Sequence, residues 1–195
     1  METSSLGEYR MLGIDIDDVL FETAPFLLQA IEKETGKSVD IEKLNTYSLE
    51  ENLRLSSDIL VPLIKEILST AILEPVHRAV EILNMLDKPI CFISNRHYSL
   101  VEITMQNIRA IGLTAPHKVF LLGNHHDMDT PNKAYIINMY SISVFIEDNP
   151  DVILDVYNRC SCDILVFDRP WNRHIAENNR IVIVRNWNEI REFIQ

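Results

Sequence analysis

Basic charge is scarce in this chain: 18 lysines and arginines face 29 aspartates and glutamates, a formal net charge of −11 over 195 residues. A general nucleic-acid surface needs a basic stripe, so that class is excluded. A small anionic ligand is not, because a bound metal or a local arginine cluster reverses the field inside one pocket. Cysteines number three, an odd count that supplies no disulfide framework. Cys91 lies in an apolar run, and Cys160 and Cys162 are separated by one residue instead of the two usual in redox and zinc motifs. Reduced, structural thiols are the expectation. No apolar run approaches the ~20 residues of a membrane span, and the opening METSSLGEYR is polar, with no apolar signal segment. Repeats, low-complexity tracts and Gly/Ser linkers are missing too. These absences lead us to expect a soluble, cytoplasmic protein, with neither a membrane nor a nucleic-acid polymer among its partners. At roughly 150 residues per domain, the length suits one core carrying an insertion.

What the chain does contain is an alternation of short β-rich runs and helical patterns. Strands are expected over Tyr9–Ile14, Pro89–Ser94, Lys118–Leu122, Ser143–Glu147, Asp163–Phe167 and Arg180–Val184. Their nearly continuous Ile, Val, Leu and Phe content suits strands buried on both faces of a parallel sheet. Helix punctuation lies between them. Ser99 and Glu102 have capping-box spacing before Val101, Met105, Ile108 and Ile111, and Gly112 is placed to stop that helix. Thr130-Pro131 and Asn149-Pro150 each put a cap residue before a proline, and Asn186 with Glu189 repeats the cap pattern near the end. The alternation predicts an α/β, doubly wound, Rossmann-like parallel sheet. One region of about 75 residues after the first strand lacks a convincing strand. Helical patterns fit Ala24–Thr35, Ser57–Thr70 and Pro75–Leu86 there. The last, with Val76, Val80, Leu83 and Leu86 on one stripe, belongs to the core layer. Residues 1–20 and 74–195 are therefore expected to form the core, and 21–73 a small helical cap.

Met11–Glu22, MLGIDIDDVLFE, is the most informative stretch. An apolar run ends in Asp15 and Asp17, which alternation along a strand points the same way. A strand ending near Ile14 projects both acids from its carboxyl edge, where open α/β sheets keep their sites. Paired like charges imply a cation, a raised pKa, or both. Later strands end in comparable chemistry: PICFISN in Ser94, Asn95 and Arg96, and SVFIEDNPD in Glu147 and Asp148 with Asp151 a turn later; Lys133 starts a helix between them. Each residue alone has a plain structural reading. Ser94 could cap a turn, Lys133 could be solvated, Glu147 and Asp148 could form a polar turn, and Asp151 could complement the helix dipole. Together, in order and on one sheet edge, they point to chemistry.

The order DIDDVL, FISN, Lys133, IEDNPD resembles the four motifs of the haloacid dehalogenase (HAD) superfamily of phosphohydrolases, over nearly the whole chain. VFDRPWNRH, Val166–His174, is similar to a segment of the 5′(3′)-deoxyribonucleotidase branch. The resemblance implies Asp15 as nucleophile, forming an aspartyl-phosphate, and Asp17 as general acid and then base, its pKa raised by the adjacent charge. It implies Mg²⁺ held by Asp15, Asp148 and the Asp17 carbonyl, with Glu147 an outer partner. Ser94 would hold a phosphoryl oxygen and Lys133 would offset charge. Asn95, Arg96 and Arg169 are the expected substrate contacts, with His97, Asn172 and Arg173 nearby; anchoring of the loop is the equal alternative for Arg169 and Trp171. Asp18 stands where the superfamily often has glycine. In the cap, Phe21, Phe26 and Tyr47 are candidates to cover a nucleobase, with core packing the expectation for Phe26. His125 and His126 are expected in a solvated loop.

The expected function is a Mg²⁺-dependent phosphomonoesterase acting on a small phosphorylated substrate, foremost a (deoxy)nucleoside monophosphate. The alternatives are another small phosphomonoester, a receiver-like signalling domain, or an inert phosphate-binding protein. Receivers place the phosphorylated Asp on a middle strand without an insertion after the first, and retention of both Asp15 and Asp17 argues against inertness. A homo-oligomeric state stays open.

Overall fold

The computed structural model describes residues 11–123 and 131–194. Among them, six strands form one parallel sheet in the order β3-β2-β1-β4-β5-β6. They are β1 (Met11–Ile14), β2 (Ile90–Ser94), β3 (His117–Leu121), β4 (Ile142–Glu147), β5 (Asp163–Phe167) and β6 (Ile181–Val184). Chain order runs outward from β1 on one side and from β4 on the other, so the sheet switches direction between these two. Loops leaving the carboxyl ends of β1 and β4 diverge there and open a crevice. This is the expected doubly wound fold.

Alternation assigns the two faces. Leu12, Ile14, Ile90, Phe92, Ile146 and Leu165 join one buried cluster, which closes on Trp187 and Ile190 of α8 (Trp187–Ile194). Cys91, Ile93, Phe145, Ile164 and Val166 join the other, against α6 (Lys133–Met139) and α7 (Pro150–Arg159). All three cysteines are free and buried. Gly13 sits in the central strand because nothing larger fits. A Cβ there would lie 2.9 Å from Phe145 Cδ2 and 3.0 Å from Ile142 Cγ2.

The region after β1 holds α1 (Thr23–Thr35), a 3-10 turn at Ile41–Lys43, the short α2 (Leu49–Leu53) and α3 (Ser57–Thr70). Sequence pattern located the first and last; the 3-10 turn and α2 are too short to show a helical stripe. Backbone pairing joins the entering and leaving segments of this region at its root: Glu22 N–H donates to Glu74 O at 3.0 Å and Val76 N–H to Leu20 O at 2.8 Å. That pairing keeps Pro75 extended, so α4 starts only at Ala79 and ends at Met85, shorter than the expected Pro75–Leu86, with Ala79, Ile82 and Leu83 inward. Leu27, Ile31, Leu53, Leu60 and Leu68 of the insertion pack into the same cluster as β1 and β2.

Two caps differ from expectation. Before α5 (Val101–Ala110), a 3-10 turn at Tyr98–Leu100 intervenes, and the His97 ring caps it by accepting from Ser99 N–H. Ser99 therefore lies inside that turn and makes no capping box with Glu102. Asn132, not Thr130, caps α6, accepting from Tyr135 N–H at 2.9 Å; Thr130, like His125 and His126, lies outside the described residues. Asn149 caps α7 as expected, ahead of Pro150. No described helix is long and apolar enough to cross a membrane.

Candidate active site

β1 delivers Asp15 directly into the crevice. The Asp15 N–H still bonds Ile146 O of β4 at 2.9 Å, so its carboxylate starts where β1 and β4 part. β4 delivers Glu147 and Asp148 from the other side. Oxygens of Asp15, Glu147 and Asp148 lie within 4.8 Å of one another, and all three residues are buried. Lys133, on the first turn of α6, reaches into this cluster and bonds Asp15 as well as Glu147, the latter at 2.8 Å. Glu147 also accepts the N–H groups of Asp148 and Asn149 at 3.2 and 3.1 Å, which fixes the turn after β4. It thus braces the turn while contributing one of the three clustered carboxylates.

Asp17 lies on a different partner set. The Arg96 Nε donates to both its oxygens at 3.1 and 3.0 Å, and Nη2 to Oδ1 at 2.7 Å. Thr23 adds a hydroxyl at 2.8 Å and Ser94 one at 3.3 Å. Burial opposes the charge on Asp17, but Arg96 outweighs it and Thr23 assists, so the carboxyl is held below its ordinary range. The expectation that adjacent negative charge raises this pKa is therefore corrected, because a bidentate guanidinium outcompetes a neighbouring carboxylate. Arg96 also differs from its expected place: with Nη1 on Thr104 at 3.1 Å, the whole guanidinium is buried and partnered within the protein. Nothing in the sequence pattern pointed to Thr23 or Thr104.

Asp15 and Asp148 behave oppositely to Asp17. Burial pushes both pKa values well above the ordinary range; Lys133 opposes this at Asp15, while Glu147 adds to it at both. Lys133, although buried, is held charged by Asp15 and Glu147. Four carboxylates (Asp15, Asp17, Glu147 and Asp148) face two cations, Lys133 and Arg96. At 4 Å and an effective dielectric near 20, each like-charge contact costs about 4 kcal/mol. An all-oxygen donor set with surplus negative charge fits a small, hard divalent cation.

The RPWN segment is a brace. Arg169 donates to the Asp18 carbonyl through Nε and Nη2 at 2.9 and 2.6 Å, lies 3.4 Å from Glu22, and stacks on Phe167. These contacts anchor the loop, one of its two expected roles. Asn172 donates to the carbonyls of Asp148 and Phe167 at 2.8 and 2.9 Å, and the Trp171 indole N–H donates to Asp148 Oδ2 at 2.9 Å. Asp18 occupies the left-handed region, φ +57°, which explains why glycine is at home there. Its carboxylate caps α1 by accepting from Ala24 N–H at 2.8 Å, and burial moves its pKa up to about 7. Asn95 Oδ1 is buried with no hydrogen-bond partner among the described residues. Arg173 pairs outward with Glu42 of the insertion at 3.1 Å and with Asp168 at 3.6 Å, and Asp151 is exposed beyond the cluster.

Of the three insertion aromatics, Phe21 is fully buried beneath the loop and Phe26 packs against the core. Tyr47 stands at the site: its ring meets Trp171 edge-on, with centroids 6.3 Å apart, and remains 45 % exposed. Crowding of its hydroxyl and the facing carboxylates of Asp148, Asp15, Asp17 and Glu147 keep the phenol protonated well above its ordinary pKa.

No protein-family model matches the chain, and no curated protein matches it. Solved structures do. A haloacid dehalogenase-like protein of Agrobacterium tumefaciens superposes with a TM-score of 0.66 at 15 % identity, covering 95 % of this chain and 97 % of the other. A subfamily IA HAD-superfamily hydrolase of Geobacter sulfurreducens gives 0.62 at 15 % identity, with both chains covered completely. A HAD hydrolase-like protein of Bacillus subtilis, solved with magnesium bound, gives 0.62 at 13 % identity over 95 % and 98 % of the two chains. The chain has the haloacid dehalogenase-like fold, and its acidic cluster lies at the crevice of that fold.

Proposed function

We propose that the protein is a Mg²⁺-dependent phosphomonoester hydrolase working through an aspartyl-phosphate. The observation that carries this reading is the convergence of Asp15, Asp17, Ser94, Lys133 and Asp148 at one crevice, from four separate segments. Asp15 attacks phosphorus as its carboxylate while the bond to the leaving oxygen breaks, and Asp17 gives that oxygen its proton. Asp17 then takes a proton from water, which attacks the phosphorus, releases inorganic phosphate and restores the Asp15 carboxylate. Lys133 opposes the protonation that burial favours at Asp15, Mg²⁺ when bound would favour the carboxylate further, and Ser94 orients a phosphoryl oxygen. Asp15, Asp148 and the Asp17 main-chain carbonyl would hold Mg²⁺, which when bound would offset charge between carboxylates and phosphate and polarise a phosphoryl oxygen.

For Asp17 to donate a proton, the grip of Arg96 must slacken. An incoming phosphate competes for the same guanidinium, and diverting it raises the Asp17 pKa at the moment a proton is required. Arg96 thereby becomes a substrate contact only in the loaded state. The substrate class we propose is a nucleoside monophosphate, supported by the RPWN resemblance and by Tyr47, an exposed ring of the insertion beside the cluster. A phosphate-release screen over nucleotides and sugar phosphates with Mg²⁺ tests this. Nucleotides should lead the panel, EDTA should abolish release, and Asp15→Asn should lower it by about 10³-fold or more. Sugar phosphates leading would reassign the substrate, and normal turnover by Asp15→Asn would remove the mechanism.

A further inference from the structure

We propose that Trp171 is a positioning residue for the metal-binding carboxylate of Asp148, with its indole orientation set by the helical insertion. The inference rests on the reading of Asp148 as a cation ligand. Two facts about one side chain carry it. Its N–H donates to Asp148 Oδ2 at 2.9 Å, inside a buried pair. Its ring is packed among Ala24, Leu28 and Leu44, which belong to the insertion and not to the sheet.

A carboxylate on the turn after a strand has two free torsions and two equivalent oxygens. Bonding one oxygen to a fixed donor removes that freedom and leaves Oδ1 outside that bond, in a carboxylate that belongs to the cluster with Asp15 and Glu147. Indole suits this role because it is donor-only and does not titrate. It can thus hold a carboxylate without taking its proton or adding a positive charge that would repel the cation. Groups that orient ligands in this way typically contribute on the order of 10- to 100-fold to metal affinity or activity. The backbone is held separately: Asn172 binds the Asp148 carbonyl at 2.8 Å. Trp171 thus acts on the side chain alone, and its loss leaves the turn in place.

The test compares Trp171→Phe with wild type, since phenylalanine keeps an aromatic ring among the insertion residues and removes the N–H. Mg²⁺ binding is followed by the rise in thermal midpoint, which needs no substrate and no turnover. The variant should require about 10- to 100-fold more Mg²⁺ for the same rise, while its midpoint without metal moves by only a few degrees. A second measurement uses the unaltered protein. The chain has two tryptophans, so ¹⁵N labelling gives two indole N–H signals. Trp187 donates to the Val19 carbonyl at 3.0 Å, two residues beyond Asp17, so the Trp171 signal is identified as the one missing from Trp171→Phe. The Trp171 indole signal should move with Mg²⁺, at the midpoint seen by melting. If the wild type binds Mg²⁺ and Trp171→Phe binds it equally well, or if the Trp171 indole signal does not move, the positioning role is overturned and the metal site stands. If the wild type shows no Mg²⁺ response at all, the metal reading falls and this role falls with it.

Discussion

Lys133 shows how much one residue holds in this molecule. It is 5 % exposed, bonds two carboxylates that are themselves buried, and sits where a helix begins. Removing one partner from a buried ionic network leaves uncompensated charge at a cost of about 3–5 kcal/mol. Lys133→Ala should therefore lower stability in urea unfolding by about that much, besides losing activity. A value under about 1 kcal/mol would mean that Asp15 and Glu147 reach solvent or protons more easily than their burial implies. Residue by residue, the site was legible as types at strand ends. Its pairings were not: nothing in the string Ser94-Asn95-Arg96 distinguishes an arginine waiting for phosphate from one clasped on Asp17.

Among the elements, β1 carries the tightest constraint. Its four residues lie between β2 and β4, and Gly13 admits the Phe145 ring. Gly13→Ala puts a methyl within 2.9 Å of that ring, and overpacking of this kind costs about 1–3 kcal/mol. Thermal unfolding should show that loss, and because Asp15 lies two residues on, phosphate release should drop too. An unchanged midpoint would mean that Phe145 moves aside freely. Strand positions were readable because two-sided burial leaves continuous apolar runs, as in Ile90–Ser94. Helix starts were less readable where a preceding element competes for the cap, as the 3-10 turn does at His97.

At the scale of the whole molecule, charge links folding to metal. Burial raises Asp15 and Asp148, and takes Asp18 to about 7. A carboxyl raised in the folded state contributes stability that is complete below its unfolded pKa of about 4 and lost as pH climbs through the folded value. The metal-free protein should therefore melt lower at pH 8 than at pH 5, and Asp18→Asn should narrow that difference. Mg²⁺ needs the ionised carboxylates, so its stabilisation should grow across the same interval. At a hundred-fold excess over Kd it should reach about 2.7 kcal/mol, roughly 5–10 °C for a domain of this size. Melting curves at both pH values, with and without Mg²⁺, check this. A Mg²⁺ effect larger at pH 5 would contradict the raised carboxyl pKa values.

Local pattern by itself determined the strands, most helices, the parallel α/β class and most of the candidate residues found together at the crevice, because burial and alternation write themselves into neighbouring residues. Only the tertiary structure decided which of those groups meet. The bond from Trp171 to Asp148, the clasp of Arg96 on Asp17 and the edge-on approach of Tyr47 join segments far apart in the chain. Their geometry follows from strand order and from the packing of an insertion, which short-range periodicity does not encode.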